Sequence, residues 1–491
     1  MAIGWKRCWA RPAASRPVLA CRQANHVIGA DHFRSIRLHP ANGAALRCPF
    51  SIDAARWDVN LHVSFNWYRQ RGLGRVVYTG VNRYYSFLIT QVNVCIPMDP
   101  RRNPFAPGAG TPPPELAGRD EIIERAAIAL DRIRARRSAR SVILYGLRGV
   151  GKTVLLHRIR QDAEHEGLVP VIIEAPEDRS LPSVLGPALR ATLIRLSRGL
   201  AAKKALQKAL RALAGFTKAA KIKYEDVELS VDFEALPGLA DSGDLETDLT
   251  DLLHAVGEAA AEDRTAVVLI IDEMQYIPEM QAAALITALH RAIQDQLPIT
   301  LVAAGLPQLL AHMGRAKSYA ERLFEFVPIG ALDYEAARQA IVVPIKNEEV
   351  DIDEEATDEI LQRSQGYPYF LQEWGKHAWQ EAEDSPISLS DARRASEVAL
   401  AELDASFFRV RFDRLTPAEK RYMRAMAELG PGPHRSGDIA ELLKKKISAV
   451  APIRSRLIEK GMIYSPSHGD TAFTVPLFDG FMKRTMPNLA N

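Results

Sequence analysis

The sequence predicts an α/β fold: a five-stranded parallel sheet of the P-loop kind, then a helical lid and a C-terminal module of short helices and a hairpin. Three observations predict it. A complete G-x-x-x-x-G-K-S/T phosphate loop, Gly146-Leu147-Arg148-Gly149-Val150-Gly151-Lys152-Thr153, lies directly behind the apolar run 141–145 and ahead of a helical pattern that starts at Val154. A second apolar run, 266–271, ends in two adjacent acids, Asp272 and Glu273. Further buried-type runs at 169–174, 299–303 and 325–329 bring the strands to five. Near-continuous apolar strands alternating with helices indicate a parallel sheet covered on both faces.

The loop defines a nucleotide site. Its glycines let the backbone curl so that successive N–H groups point at a phosphate, and Lys152 adds a point charge for the β and γ groups. The Thr153 hydroxyl suits Mg²⁺, and the following helix turns its N-terminal dipole toward the same anion. An acid at the carboxyl end of a parallel strand reaches the metal, so Asp272 is the expected Mg²⁺ residue, through water, and Glu273 the group that polarises the attacking water. An additional strand separating the loop strand from the acid strand, with Glu273 beside Asp272, is the pattern of the P-loop (ASCE) division that carries a catalytic glutamate. The plainer readings, a chance glycine turn and a solvated acidic turn, do not account for the two occurring together.

The chain of 491 residues, 47% hydrophobic and without an apolar run near 18 residues, has room for two or three cores and no membrane-spanning segment. A net charge of +3 says little by itself. All four cysteines, Cys8, Cys21, Cys48 and Cys95, fall in the first hundred residues. The nucleotide-binding part therefore needs neither disulfides nor thiolate metal sites, which fits a reducing cytoplasm.

Residues 1–97 differ from the rest: no glutamate, Lys6 as the one lysine, and four of the six tryptophans. Three readings stand: an organellar transit peptide, though Pro12 and Pro17 interrupt any amphipathic helix; a basic arm for nucleic acid, though its charges are scattered; and an atypical or disordered extension upstream of a natural start at Met98. The third is favoured on composition. Residues 98–115 read as a Pro/Gly linker. The nucleotide-binding core is expected over 116–330, with a basic helix and ribbon inserted at 197–245; the lid over 331–412; and the C-terminal module over 413–491.

Within the core, Gly118-Arg119 leads into a helix to about Arg137. From Arg179 to Tyr224 there is no acidic residue, while Leu206, Leu210 and Leu213 share a helical face. That is a basic amphipathic helix, either a solvated face packed on the sheet or a surface for a polyanion. Residues 227–234 alternate as an exposed strand, and 244–261 form the helix leading to the acid strand. Arg322, before the last strand, is either a surface arginine or a finger for a neighbouring copy's γ-phosphate.

Asp333 and Asp353 are plausible N-caps in the lid, where Gly366 ends one helix and Pro368 opens the next. Thr416-Pro417-Ala418-Glu419 is a capping box. Helices over 416–429, about 436–445 and 448–460, then a hairpin at 462–464 and 472–475, give a winged-helix layout. Its third helix would enter a major groove, with Arg454, Arg456 and Lys460 on it and Arg435 and Lys444 to Lys446 nearby; such modules also serve as protein docking surfaces.

Gly118-Arg119, the phosphate loop, Asp272-Glu273, Gly366-x-Pro368 and the winged-helix layout together resemble the AAA-type ATPases of the Orc/Cdc6-like and archaeal-type group, which border the STAND signalling ATPases, over about residues 98–485. The resemblance implies ATP, an Mg²⁺ requirement and nucleotide-gated assembly. It also implies that Gly118 and Arg119 sit over the adenine and that the turn before Pro368 nears base and phosphates. The expected function is an ATP-hydrolysing switch that docks DNA; the alternative is a slow or inactive STAND-like regulator that binds a protein partner, either one open to homo-oligomer assembly. Two departures put fast hydrolysis in doubt: 303–307 offers no polar sensor side chain, and no arginine closely follows Pro368.

Overall fold

The computed structural model describes residues 98–108, 110–175, 179–197, 204–220, 235–467 and 469–489. Residues 1–97, the alternating segment 227–234, and Arg198, Lys203, Lys221 and Lys223 of the basic tract lie outside the described residues.

The chain runs α1 (Asp120–Arg134), β1 (Ser141–Tyr145), α2 (Lys152–His165), β2 (Val169–Glu174), α3 (Leu181–Ser197), α4 (Lys204–Ala219), α5 (Leu245–Glu262) and β3 (Val267–Asp272). It continues with α6 (Glu279–Gln294), β4 (Ile299–Gly305), α7 (Leu309–Ala316), α8 (Ala320–Leu323) and β5 (Phe324–Pro328). The strands form one parallel sheet in the order β2-β3-β4-β1-β5, so β4 does separate the loop strand from the acid strand. Successive side chains of a strand point to opposite faces. Val142 and Leu144 accordingly join Leu155 and Ile159 of α2 in one core, while Ile143 joins Leu269, Leu301 and the leucines of α3 to α5 in the other. Covering both faces is why β4 is buried along its whole length.

The basic amphipathic helix is α4. Its leucine face, Leu206, Leu210 and Leu213, is buried, and Lys208 donates to Glu258 of α5 at 2.7 Å. The helix packs on α3 and α5 rather than on the sheet itself. Asp244 caps α5 by accepting from the Thr247 N–H.

The helical lid comprises α9 (Tyr334–Asn347), α10 (Glu354–Ser364), α11 (Pro368–Glu381), α12 (Leu389–Leu403) and, after a π turn, α13 (Arg409–Asp413). Asp333 caps α9 through the Ala336 N–H, whereas Asp353 occupies the cap position of α10 without a side-chain bond. The start of the stretch expected as a free linker is anchored on the lid. The Phe105 ring packs on Gly375 of α11, where a Cβ would lie 2.7 Å from it, and Trp379 Nε1 donates to Asp99 O at 2.9 Å.

The C-terminal module runs α14 (Pro417–Glu428), β6 (His434–Arg435), α15 (Ser436–Leu442), α16 (Ile447–Glu459), β7 (Ile463–Tyr464), β8 (Asp470–Phe473) and α17 (Phe478–Thr485), with antiparallel strands in the order β6-β8-β7. The three helices and the hairpin lie where the sequence places them; β6 and α17 are additions. The capping box has a second use. Glu419, buried, accepts from the Thr416 N–H and from Lys460 Nζ, both at 2.8 Å, pinning α16 to the start of α14. Glu419→Ala strands both donors; because Lys460 is one-third exposed the cost falls below that of a fully buried pair, to about 2 kcal/mol. Urea unfolding followed by circular dichroism measures it, and a loss under about 0.5 kcal/mol would contradict this account. Among the described residues no helix is long and apolar enough to cross a membrane.

Candidate functional site

The phosphate loop follows the C-terminal end of β1, and its shape depends on glycine. A Cβ at Gly146 would fall 2.0 Å from Ile329 O, and Gly149 (φ +85°) and Gly151 (φ +92°) occupy the left-handed region. Lys152, the first residue of α2, is buried, with Nζ donating to the loop carbonyls of Gly146 (3.0 Å) and Leu147 (2.8 Å). Burial pulls its pKa down, against the pull of Glu273 and Asp272. The Thr153 hydroxyl donates to Asp272 Oδ2 at 2.6 Å, across the width of β4. The sheet thus brings together loop lysine, loop threonine and strand-end acid, 119 residues apart in the chain.

Glu273 is itself held in the left-handed region (φ +52°), an uncommon conformation for a non-glycine residue, with its N–H donating to Asp272 Oδ1 at 2.8 Å. Its carboxylate receives a short hydrogen bond from Gln275 Nε2, while Gln275 Oε1 accepts from the Leu306 N–H at 2.9 Å. A carboxamide from the turn after β3 thus sits between Glu273 and the end of β4. Gly305 leaves room for it, since a Cβ there would lie 2.7 Å from Gln275 Oε1. The sequence reading missed Gln275; an amide two residues beyond Glu273 was the available signal.

Around this centre, Arg119 occupies the cap position of α1 without a side-chain capping bond and turns inward, donating to Gly330 O (2.5 Å) and weakly to Val150 O (3.4 Å); burial lowers its pKa, opposed by Asp333. Gly118 permits close approach to α9, as a Cβ would meet that of Ala336 at 2.6 Å. Pro368 opens α11 between two tyrosines that grip the loop: the Tyr367 hydroxyl donates to Arg148 O, and the Tyr369 N–H donates to Gly149 O at 3.1 Å. Burial pushes the Tyr367 phenol up. The Arg148 side chain donates to the Tyr276 hydroxyl at 2.7 Å and lies against Gly461, at the turn between α16 and β7. Arg411 of α13, with its guanidinium 3.8 Å from the centre of the Phe407 ring, is pulled down to about 10 by burial and then by the neighbouring Arg148 charge. No arginine closely follows Pro368 in the chain, but α13 brings one to the loop from further on.

Arg322 lies away from this cluster. It is exposed at the end of α8, ahead of β5, and the register Ser141 to Phe324 puts it at the sheet end opposite its own loop. In the C-terminal module two of the three basic groups on or beside the third helix are engaged internally. Arg454 clasps the hairpin, donating to Thr471 Oγ1, Ser465 Oγ and Asp470 O at 2.8–2.9 Å, and Lys460 is held by Glu419 and Arg414 O. Arg456 is exposed, 3.8 Å from Glu419 Oε1. Lys444, Lys445, Lys446 and Ile447 at the start of α16 are exposed.

Two family models match the chain. One, described as an AAA ATPase domain, covers residues 115–302; the other, a domain of unknown function, covers 405–482. No curated protein matches. Among solved structures, the Walker-type ATPase PABY2304 of Pyrococcus abyssi is similar at 16% identity over 75% of this chain and 96% of that one, with a TM-score of 0.49. The Aeropyrum pernix Orc1 protein in complex with DNA is similar at 16% identity over 77% and 94% (TM-score 0.40). The Thermotoga maritima RuvB Holliday junction branch migration motor is similar at 16% identity over 72% and 92% (TM-score 0.37). Over residues 115–302 this chain carries an AAA-type P-loop ATPase domain.

Proposed function

We propose that this protein binds and hydrolyses ATP with Mg²⁺ and acts as a nucleotide-gated switch, docking DNA through a C-terminal winged-helix domain at 413–491. The observation that carries the proposal is the hydrogen bond between Thr153 and Asp272 beside buried Lys152. Both are hard oxygen donors at the mouth of a phosphate loop, a set suited to Mg²⁺. When bound, Mg²⁺ neutralises charge on the phosphate oxygens. The loop amides from Gly146 to Thr153 cradle the phosphates, Lys152 turns from its carbonyls to the β and γ oxygens, and Glu273, oriented by Gln275, accepts the proton of the attacking water. Gly118, Arg119 and Pro368 border the nucleotide. Arg322, facing away from its own loop, acts in this scheme on a neighbouring copy. The core at 116–330 and lid at 331–412 close around ATP, and the cysteine-free composition beyond residue 97 supports a cytoplasmic protein.

DNA contact in this reading falls to Lys444, Lys445 and Lys446 with Arg435 and Arg456, rather than to Arg454 or Lys460. Replacing the three lysines by alanine is expected to lower duplex affinity, and to make the slope of log K against log salt shallower by about 3, with ATP turnover unchanged. Turnover by the full chain with and without duplex DNA, plus a salt series of binding, tests the proposal. No turnover would end the enzyme reading; an unchanged salt slope would end the DNA reading.

A specific observation favours a second reading, a slow or inactive STAND-like regulator with a protein partner. The lid tyrosines and the Gly461 turn pack directly on Arg148 and Gly149, so loop and C-terminal domain are mechanically joined whether or not DNA is present.

A further inference from the structure

The lid contains a second cluster of chemistry-bearing groups, away from the phosphate loop. Glu373 and His377 stand one turn apart on α11 and so face the same side, and Glu402 reaches them from α12. Their ligand atoms lie within 4.8 Å of one another. His377 Nε2 is 2.9 Å from Glu402 Oε2 and 3.9 Å from Glu373 Oε2. Glu373 and His377 are 6% and 3% exposed, which makes their partners a matter of energy rather than of chance.

Those partners are distributed in a particular way. Glu373 gives Oε1 to the Tyr369 hydroxyl at 2.9 Å, and its Oε2 has no hydrogen bond. Glu402 gives Oε1 to Lys376 Nζ at 2.9 Å, and its Oε2 turns to His377. His377 Nε2 is close to that oxygen but not aligned with it for a hydrogen bond, and is left without one. Each carboxylate is thus oriented from outside by one oxygen and presents the other inward, the arrangement that outer-shell partners give to metal ligands. Lys376, also 3.8 Å from Glu373 Oε2, contributes one positive charge against two carboxylates. The two buried atoms left without a hydrogen bond, Glu373 Oε2 and His377 Nε2, are the ones that a ligand at this point would satisfy.

We propose that Glu373, His377 and Glu402 form a binding site for a divalent transition metal of the Zn²⁺ class. An imidazole with two carboxylates suits such an ion, whereas Ca²⁺ and Mg²⁺ take oxygen ligands alone. Glu402, half exposed, gives the ion its route in and leaves a position for water. The site ties α11 to α12 one turn from Tyr369, whose N–H holds Gly149, so its occupancy stiffens the lid where it grips the loop.

The test uses the full chain with Cys8, Cys21, Cys48 and Cys95 changed to serine, stripped of metal and free of nucleotide. Zn²⁺ binding is followed by calorimetry and by thermal midpoint, and Co²⁺ by its visible bands. One saturable site is expected, undisturbed by excess Mg²⁺, with Co²⁺ bands of nitrogen and oxygen ligation. His377→Ala and Glu402→Gln are each expected to weaken binding at least about tenfold. Circular dichroism checks their fold, and the half-exposed Glu402 position decides the matter if the His377 variant unfolds. Absence of saturable Zn²⁺ binding, or binding that survives Glu402→Gln unchanged, overturns the proposal.

Discussion

Glu273→Gln is expected to lower ATP turnover at least about a hundredfold while leaving nucleotide affinity nearly unchanged. The substitution keeps the side chain's size and its contact with Gln275, and it leaves Lys152 and the Thr153 to Asp272 hydrogen bond in place. What it removes is the acceptor for the water proton, which general-base catalysis values at about 10² to 10⁴ in rate. The left-handed backbone at Glu273 strengthens the expectation, since strain in a non-glycine residue is retained where the surroundings over-determine it. Steady-state turnover together with nucleotide titration separates the two quantities. Equal turnover in wild type and variant would transfer support to the slow-regulator reading.

Gly149→Val is expected to weaken ATP binding by about 10- to 100-fold through two additive causes. A β-branched residue at φ +85° is strained by about 1–3 kcal/mol, and tenfold in affinity corresponds to about 1.4 kcal/mol. The new Cβ would also approach the Tyr367 ring at 3.0 Å and Tyr369 Cβ at 3.2 Å, prising α11 from the loop. A fluorescent-nucleotide titration measures the loss. Adding Tyr367→Ala separates one cause: partial recovery assigns part of the effect to the Tyr367 contact, and no recovery leaves it to the backbone and the Tyr369 contact.

The centre of the sheet was legible because β1, β3 and β4 are buried on both faces and so read as apolar runs; Val267 to Asp272 and Ile299 to Gly305 fall within a residue or two of their expected bounds. The loop and the acid were legible because their chemistry is local. The rest depends on distant parts of the chain meeting. Gln275 gains its place only when β3 and β4 are paired, and Arg411 reaches Arg148 only through the folded lid. Glu373 and Glu402 are separated by the rest of α11, a loop and nearly all of α12, which no periodicity connects. Arg454 also gains its partners only in the fold. Charge on the third helix suggested DNA contact in a major groove, and the long Arg454 side chain folds back onto its own hairpin, where three acceptors hold it. The short helix α17 has too few turns to show a period.

The attachment of Phe105 and Asp99 fixes residues 98–105 to α11. Met98 N–H also donates to Glu383 O, beyond the end of that helix. Residues 98–105 are therefore tied to α11 and the turn after it, and in the proposed switch a dye on exposed Arg101 is expected to report any displacement of α11 when ATP binds.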